Sequence, residues 1–309
     1  MKHIIFSNGW SSMLSTVLFF LSACFVHVQA ADPTGAGTLK VISYNIWNGF
    51  EWGKDEERKQ NFIKWMQSQK PGVVALQELC GYTREKLLED AKKWGHSYAE
   101  ILKTSGYPVG LTSSKPIHVV ERVLEDMHHG ALHCKTWGVD FLVVHFSPFS
   151  FQKRRQESTI ILKKLAGIEK TQDQFMVLGD FNAVSPFDAD LYKNNPGLLD
   201  AKKQSEKQHD HVRNLFHGQL EYGVLSSFLG FPLIDVVQKF TSGWDQRVSY
   251  PTQVFEKKKG EERSKNSTRI DYILTSAILG KKCIHARVQN NAEAFYLSDH
   301  YPVIAEFRR

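Results

Sequence analysis

The chain has 309 residues, 42% of them hydrophobic, 12% aromatic and 23% charged, proportions that exclude disordered, collagen-like and disulfide-dense classes. A net charge of +6 suits an anionic partner such as nucleic acid, phospholipid or a phosphorylated metabolite, without demonstrating one.

Residues 1–30 place Lys2 before an apolar run from Met13 to Val28, and then Val28-Gln29-Ala30. This layout predicts a secretory signal peptide and a secreted or periplasmic protein. Removing it takes one lysine and no acid, leaving +5 of the +6 on the mature chain. A competing expectation is a lipoprotein anchored through Cys24, since Leu21-Ser22-Ala23-Cys24 resembles a lipidation box. The run is short of the usual transmembrane span of about 20 residues. Residues 31–38 read as a flexible start and 39–309 as one domain. Three cysteines remain, Cys80, Cys134 and Cys283, without a Cys-x-x-Cys pair, which argues against a disulfide framework and a thiolate zinc site.

Within 39–309, runs of strand length fall at 39–46, 73–79, 117–124, 130–136, 139–146, 175–181, 233–237, 270–275 and 301–307. Three- and four-residue spacings predict helices around Phe62, Ile63 and Met66, around Leu87, Leu88, Ala91 and Trp94, and around Ile161, Leu165 and Ile168. Strands apolar on both faces, such as 141–146, imply sheets covered on each side. The predicted fold class is therefore α/β, two sheets packed face to face with helices outside. Stretches 188–219 and 256–267 read as solvated insertions, Lys153-Arg154-Arg155 and the lysines at 257–259 as solvated charge runs, and 226–233 as core in preference to a membrane-contacting hairpin.

Polar residues interrupt these apolar strands repeatedly. The strand at 175–181 runs into Asp180 and Asn182, which period-two geometry places on one face. Others reach Asn45, Glu78 and His145; Asp271 lies inside a strand, and Asp299 and His300 precede the last one. Any one of these has a structural explanation. Six in one chain do not fit chance, because buried unpaired charge costs several kcal/mol unless it is paired or holds a metal. Carboxylate and carboxamide oxygens without thiolates suit magnesium or manganese.

The segments Ser43-Tyr44-Asn45-Ile46, Leu76-Gln77-Glu78-Leu79, Val144-His145, Gly179-Asp180-Phe181-Asn182, Arg269-Ile270-Asp271-Tyr272 and Ser298-Asp299-His300-Tyr301-Pro302 resemble, in order, the motifs of the endonuclease/exonuclease/phosphatase superfamily. The resemblance spans Leu39 to Phe307. It implies a four-layer α-β-β-α sandwich of two mixed sheets flanked by helices, and a magnesium- or manganese-dependent phosphoesterase using in-line attack of water. It further implies Glu78 as principal metal ligand with Asn45 and Asp299, Asp180 positioning or deprotonating the water, and Asn182 stabilising the transition state. His300, oriented by Asp271, would be a general base or phosphate-binding group, and His145 would protonate the leaving group or stabilise charge.

Three further residues are candidates for substrate contact. His129 could reach the phosphate or be a partly buried strand residue. Arg269 could contact a phosphate oxygen or form an ion pair, and Trp47, like Trp52, could stack on nucleic acid or cap the sandwich. The expected partner is a phosphate ester, with nucleic acid, phospholipid and sugar or inositol phosphate all open. No obligate protein partner is evident and a monomer is expected. The alternative from another class is a non-catalytic phosphate-ligand-binding protein that keeps the fold.

Overall fold

The computed structural model describes residues 37–309 other than 172, 195 and 257–265. The expected export segment, Cys24, nearly all of the flexible start and the lysines at 257–259 lie outside the described residues. Among the described residues no helix is long and apolar enough to cross a membrane.

The strands are β1 (Thr38–Asn45), β2 (Val73–Gln77), β3 (Tyr98–Ile101), β4 (Gly110–Ser113), β5 (His118–Val123), β6 (Ala131–Thr136) and β7 (Val139–His145). They continue with β8 (Phe175–Asp180), β9 (Leu215–Phe216), β10 (Gln219–Leu220), β11 (Ile234–Asp235), β12 (Asp271–Thr275), β13 (Cys283–Val288) and β14 (Val303–Arg308). One six-stranded sheet has the order β13-β14-β1-β2-β4-β3 and the other β11-β12-β8-β7-β6-β5. Each is mixed, with a single parallel pair, β1 with β2 and β7 with β8. With the flanking helices this is the expected α/β sandwich.

Side-chain alternation explains why two sheets pack. Along β7, Phe141 and Val143 belong to the core shared with the first sheet, whereas Leu142 and Val144 belong to a second core beneath helices. On β8, Met176 and Leu178 face the first core while Phe175 and Val177 face the second. The helix Phe151–Glu169 supplies Ile161, Leu165 and Ile168 to that second core, and Gly223–Gly230 adds Leu225 and Phe228. Of the stretch 226–233, expected as core, Ser226, Gly230 and Pro232 are exposed, whereas Phe228 and Leu233 are in the core and Phe231 packs against it. Each fully buried side chain of this size contributes roughly 1.5–3 kcal/mol. The helices Glu56–Gln69 and Arg84–Lys93 bury Phe62, Ile63 and Met66, and Leu87 and Ala91, over the other sheet.

The same parity carries polar residues to one end. His145 continues the Phe141, Val143 series, Asp180 continues Met176, Leu178, and Asp271 shares its face with Ile273. All three therefore stand where the inter-sheet core ends. Parallel pairing puts the carboxyl ends of β1 and β2 side by side (Asn45 opposite Gln77) and of β7 and β8 likewise (His145 opposite Asp180). Antiparallel β12 starts where β8 finishes, with Asp271 opposite Asp180. The segment holding Asp299 and His300 leads into β14, which runs antiparallel to β1.

Several expectations are corrected. β3, β4 and β13 are strands without having been predicted. Only Ile234 and Asp235 of 233–237 pair in a sheet, because the Asp235 side chain accepts the Gln238 amide and starts the helix Val236–Phe240. The insertion after β8 contains the helices Ala189–Asn194 and Gly197–Gln208 and the β9–β10 hairpin. Arg154, expected in solvent, is buried and donates from Nη1 to the Ser147 carbonyl and to Asn214 Oδ1, each at 2.8 Å. Cys80, Cys134 and Cys283 are free and buried.

Directly after β1 the backbone turns left-handed: Trp47 through Trp52 all have φ between 52° and 58°. For residues other than glycine this costs about 1–2 kcal/mol each. A Cβ at Gly49 would overlap the Cys80 carbonyl. The turn is held by buried Phe50 against Phe62, by Arg58 Nη2 donating to the Trp47 carbonyl, and by the Asn48 amide donating to Glu78 Oε2 at 2.7 Å.

Candidate active site

Glu78 follows β2 with φ 60°, which turns its carboxylate towards Asn45. Asn45 Nδ2 donates to Glu78 Oε1 at 3.1 Å and to Asp180 Oδ2 at 3.2 Å, while Asn45 Oδ1 accepts the Trp47 amide. Asp180 Oδ2 also lies 3.5 Å from His145 Nε2 and 3.8 Å from His300 Nε2. His300 Nδ1 stands 2.8 Å from Asp271 Oδ2, which accepts the Ser249 hydroxyl at 2.7 Å. Ser298 Oγ ties the last loop to β1 by donating to the Asn45 carbonyl at 2.6 Å. Asn182, at φ 48°, donates its backbone amide to Asp180 Oδ1 and its side-chain amide to the Phe146 carbonyl.

These residues line or support a cavity of about 580 Å³, with Glu78, His145, Asp180, Asn182, Asp299 and His300 in its wall. Its size is that of a small-ligand site. Burial raises the Asp180 pKa, and Asp271 and Glu78 push it further, against His300 and the Asn182 amide. Burial likewise raises Asp299 to about 6, with Glu78 adding to the effect. Burial disfavours charge on His300, but Asp271, Asp299 and Asp180 outweigh it and hold its pKa well above the usual value. His145 goes the other way, pushed down to about 3 by burial and then by His300. His300 and His145 are thus pushed in opposite directions, the first towards its charged form and the second towards its neutral one.

Four carboxylates, Glu78, Asp180, Asp271 and Asp299, meet here with His300 as the cation among them. Asp271 Oδ1 has no hydrogen-bond partner among the described residues. Donor chemistry of this kind fits a hard divalent cation. Potential ligand atoms of Asp180, Asp271 and His300 lie within 4.8 Å of one another. The Asp271–His300 hydrogen bond already occupies two of them, so Glu78 and Asp299 are the better oxygen donors. Asn45, expected beside the metal, also braces the site. Its oxygen serves the Trp47 amide, and its nitrogen holds two carboxylates in place.

Two substrate-contact expectations are corrected. Arg269 is buried behind the site, with Nε 2.7 Å from Asp188 Oδ2 and Nη1 2.8 Å from Asp235 Oδ2; Arg247 joins through Asp188 Oδ1 at 2.9 Å. Two carboxylates draw it inward, and it does not line the cavity. Trp47 packs between the Arg58 guanidinium and Phe255 and is not in the cavity wall either. Trp52, 51% exposed, instead meets Tyr107, which does line the cavity. His129 is in the wall, stacked on His145 with ring centroids 4.1 Å apart.

Sequence reasoning missed Ser249, Lys103, Tyr107 and Lys202. Ser249 carries no motif. Lys103 and Tyr107 lie between β3 and β4, the two strands that were not recognised, and Lys202 lies in the stretch read as a solvated insertion.

A two-sheet sandwich with an acidic, imidazole-bearing cavity at the strand ends defines a hydrolase-type α/β protein. Residues 42–300 match the model of the Endonuclease/Exonuclease/phosphatase family, and the chain belongs to that family. It is a phosphoesterase. Solved structures of similar fold include an AP endonuclease from Archaeoglobus fulgidus (TM-score 0.62, 19% identity, 87% of this chain and 99% of that one). A 3′ phosphatase from Neisseria bound to a product DNA hairpin gives 0.59 and 19%, over 88% and 100%. A 3′-5′ exonuclease from Neisseria meningitidis gives 0.60 and 19%, over 88% and 100%. No curated protein matches the chain in sequence.

Proposed function

We propose that the protein is an exported phosphoesterase that depends on a divalent cation, magnesium or manganese, and hydrolyses a phosphodiester or phosphomonoester by in-line attack of water. The observation that carries this reading is the meeting of Asp180 Oδ2 with Asn45, His145 and His300 beside Glu78 and Asp299. A cation held by Glu78 and Asp299 would neutralise a phosphoryl oxygen and the leaving oxygen. Asp180, with its raised pKa, takes the proton of the attacking water. His300, kept charged by Asp271, binds a phosphoryl oxygen, a better match to its protonation than the general-base role. His145, kept neutral, orients Asp180 and is not a ready proton source. Asn182 presents its amide edge where charge develops in the transition state.

The segment 1–30 supports export, with anchoring through Cys24 as the other outcome; the mass of the mature protein distinguishes them. The net positive charge suits an anionic substrate, and one neighbour of similar fold is bound to DNA. The decisive experiment is metal-dependent product release from a generic phosphodiester, a phosphomonoester, single-stranded and duplex DNA, RNA and sphingomyelin. Activity lost on chelation and in Glu78→Ala and His300→Ala is the expected result. Activity that survives in both variants overturns the site.

A further inference from the structure

Part of the cavity wall is not used by hydrolysis at the carboxylates. Lys103, on the β3–β4 connection, His128 and His129, just before β6, and Lys202, on the helix Gly197–Gln208, make it up together with Phe149. Neither lysine has a hydrogen bond or an ion pair within the described chain. His145, stacked on His129 and 3.5 Å from Asp180, stands between the two groups of charges. Carboxylates and His300 are the main charges acting on Asp180 and Asp299, whereas Lys103 acts on His128, His129 and His145.

Lys202 is held near another cation. The insertion that carries it is sewn to the segment after β7, where Asn214 Nδ2 donates to the Pro148 carbonyl and Arg213 exchanges backbone hydrogen bonds with Phe149 and Phe151. Buried Arg154, bonded to Asn214, is the foremost charge acting on Lys202; Glu206, the acid nearest in effect, already accepts the Leu215 amide at 2.6 Å. Two lysines and two imidazoles facing one cavity with no acid among them form an anion site in waiting. One phosphoryl group does not fill a space this large.

We infer that Lys103 and Lys202 bind a second phosphate of the substrate, so that the enzyme prefers esters carrying a further phosphate several ångströms from the scissile one. This rests on the proposed hydrolytic site and adds a substrate class to it. Such a substrate spans the cavity, with the scissile phosphate at Asp180 and His300 and the other on the basic wall.

The test is inhibition of turnover of bis(p-nitrophenyl) phosphate by fructose phosphorylated at both ends and by the two corresponding monophosphates. The expected result is inhibition about tenfold stronger by the bisphosphate, with that gap collapsing in Lys103→Met/Lys202→Met and partly restored by arginine at both positions. Equal inhibition by all three, or a gap that survives in the methionine variant, overturns the inference. Should the generic diester not be turned over, the proposed hydrolysis fails, and calorimetric binding of the same three compounds decides the inference separately: equal affinities overturn it.

Discussion

His300 Nδ1 lies 2.8 Å from Asp271 Oδ2, and the carboxylate oxygen that holds the ring also takes the Ser249 hydroxyl. Asp271 stands opposite Asp180 across the β8–β12 ladder, so one strand pairing sets both the acid that holds His300 and the acid proposed to take the water's proton. Asp271→Asn keeps the shape and removes the charge that favours the imidazolium. The expected result is a fall in kcat/KM of about 10- to 100-fold, part of it a higher KM because the phosphoryl oxygen loses a charged donor, read by steady-state kinetics.

Mutual repulsion among Glu78, Asp180, Asp271 and Asp299 is relieved when a divalent cation binds the folded protein alone. Magnesium or manganese is therefore expected to raise Tm, and Glu78→Gln to remove most of that rise, as followed by calorimetry with and without chelator.

Arg269 separates a structural role from a catalytic one. Arg269→Met leaves Asp188 and Asp235 buried with part of their pairing gone, at an expected cost of roughly 3–5 kcal/mol in denaturant unfolding. Turnover per folded molecule is expected to stay near that of the parent. A large fall in kcat at full folding would place Arg269 on the substrate after all.

Gly179 has φ 139°, and a Cβ there would overlap the Val144 carbonyl in the parallel β7–β8 pair that carries His145 and Asp180. Gly179→Ala is expected to cost more than about 3 kcal/mol, since a backbone atom cannot yield as a side chain can. Circular dichroism melting measures it.

His96 is buried, its Nδ1 2.8 Å from Thr112 Oγ1 and its Nε2 2.8 Å from the Pro71 carbonyl, and burial lowers its pKa to about 4. The unfolded chain binds this proton from about pH 6.5 downward and the folded one only near 4, so stability falls as pH drops through that window. The full contribution is roughly 3 kcal/mol. His96→Gln is expected to flatten the pH dependence of unfolding between those limits.

Much of the site could be read in the sequence because buried apolar strands make polar interruptions conspicuous. Glu78, His145, Asp180, Asp271, Asp299 and His300 each stand out against such a run, and alternation placed Asp271 on its strand face. Less visible were β3 and β4, four residues each and containing Glu100, Gly110 and Ser113, whose burial comes from the sheet around them and not from their own hydrophobicity. With them went Lys103 and Tyr107.

The order of motifs, the strand parity and the acid-imidazole chemistry were determined by the sequence, since each depends on residue type and local period. Partner choice was decided by the tertiary structure alone. Arg269 and Asp271 share a strand face pattern, yet one turns to Asp188 and Asp235 and the other to His300, because charges desolvated together settle on whichever opposite charge the packing brings within reach. Asn45 was set as a brace between Glu78 and Asp180, and Lys202 drawn from apparent solvent into the cavity wall, by contacts between segments far apart in the chain, which no local period encodes.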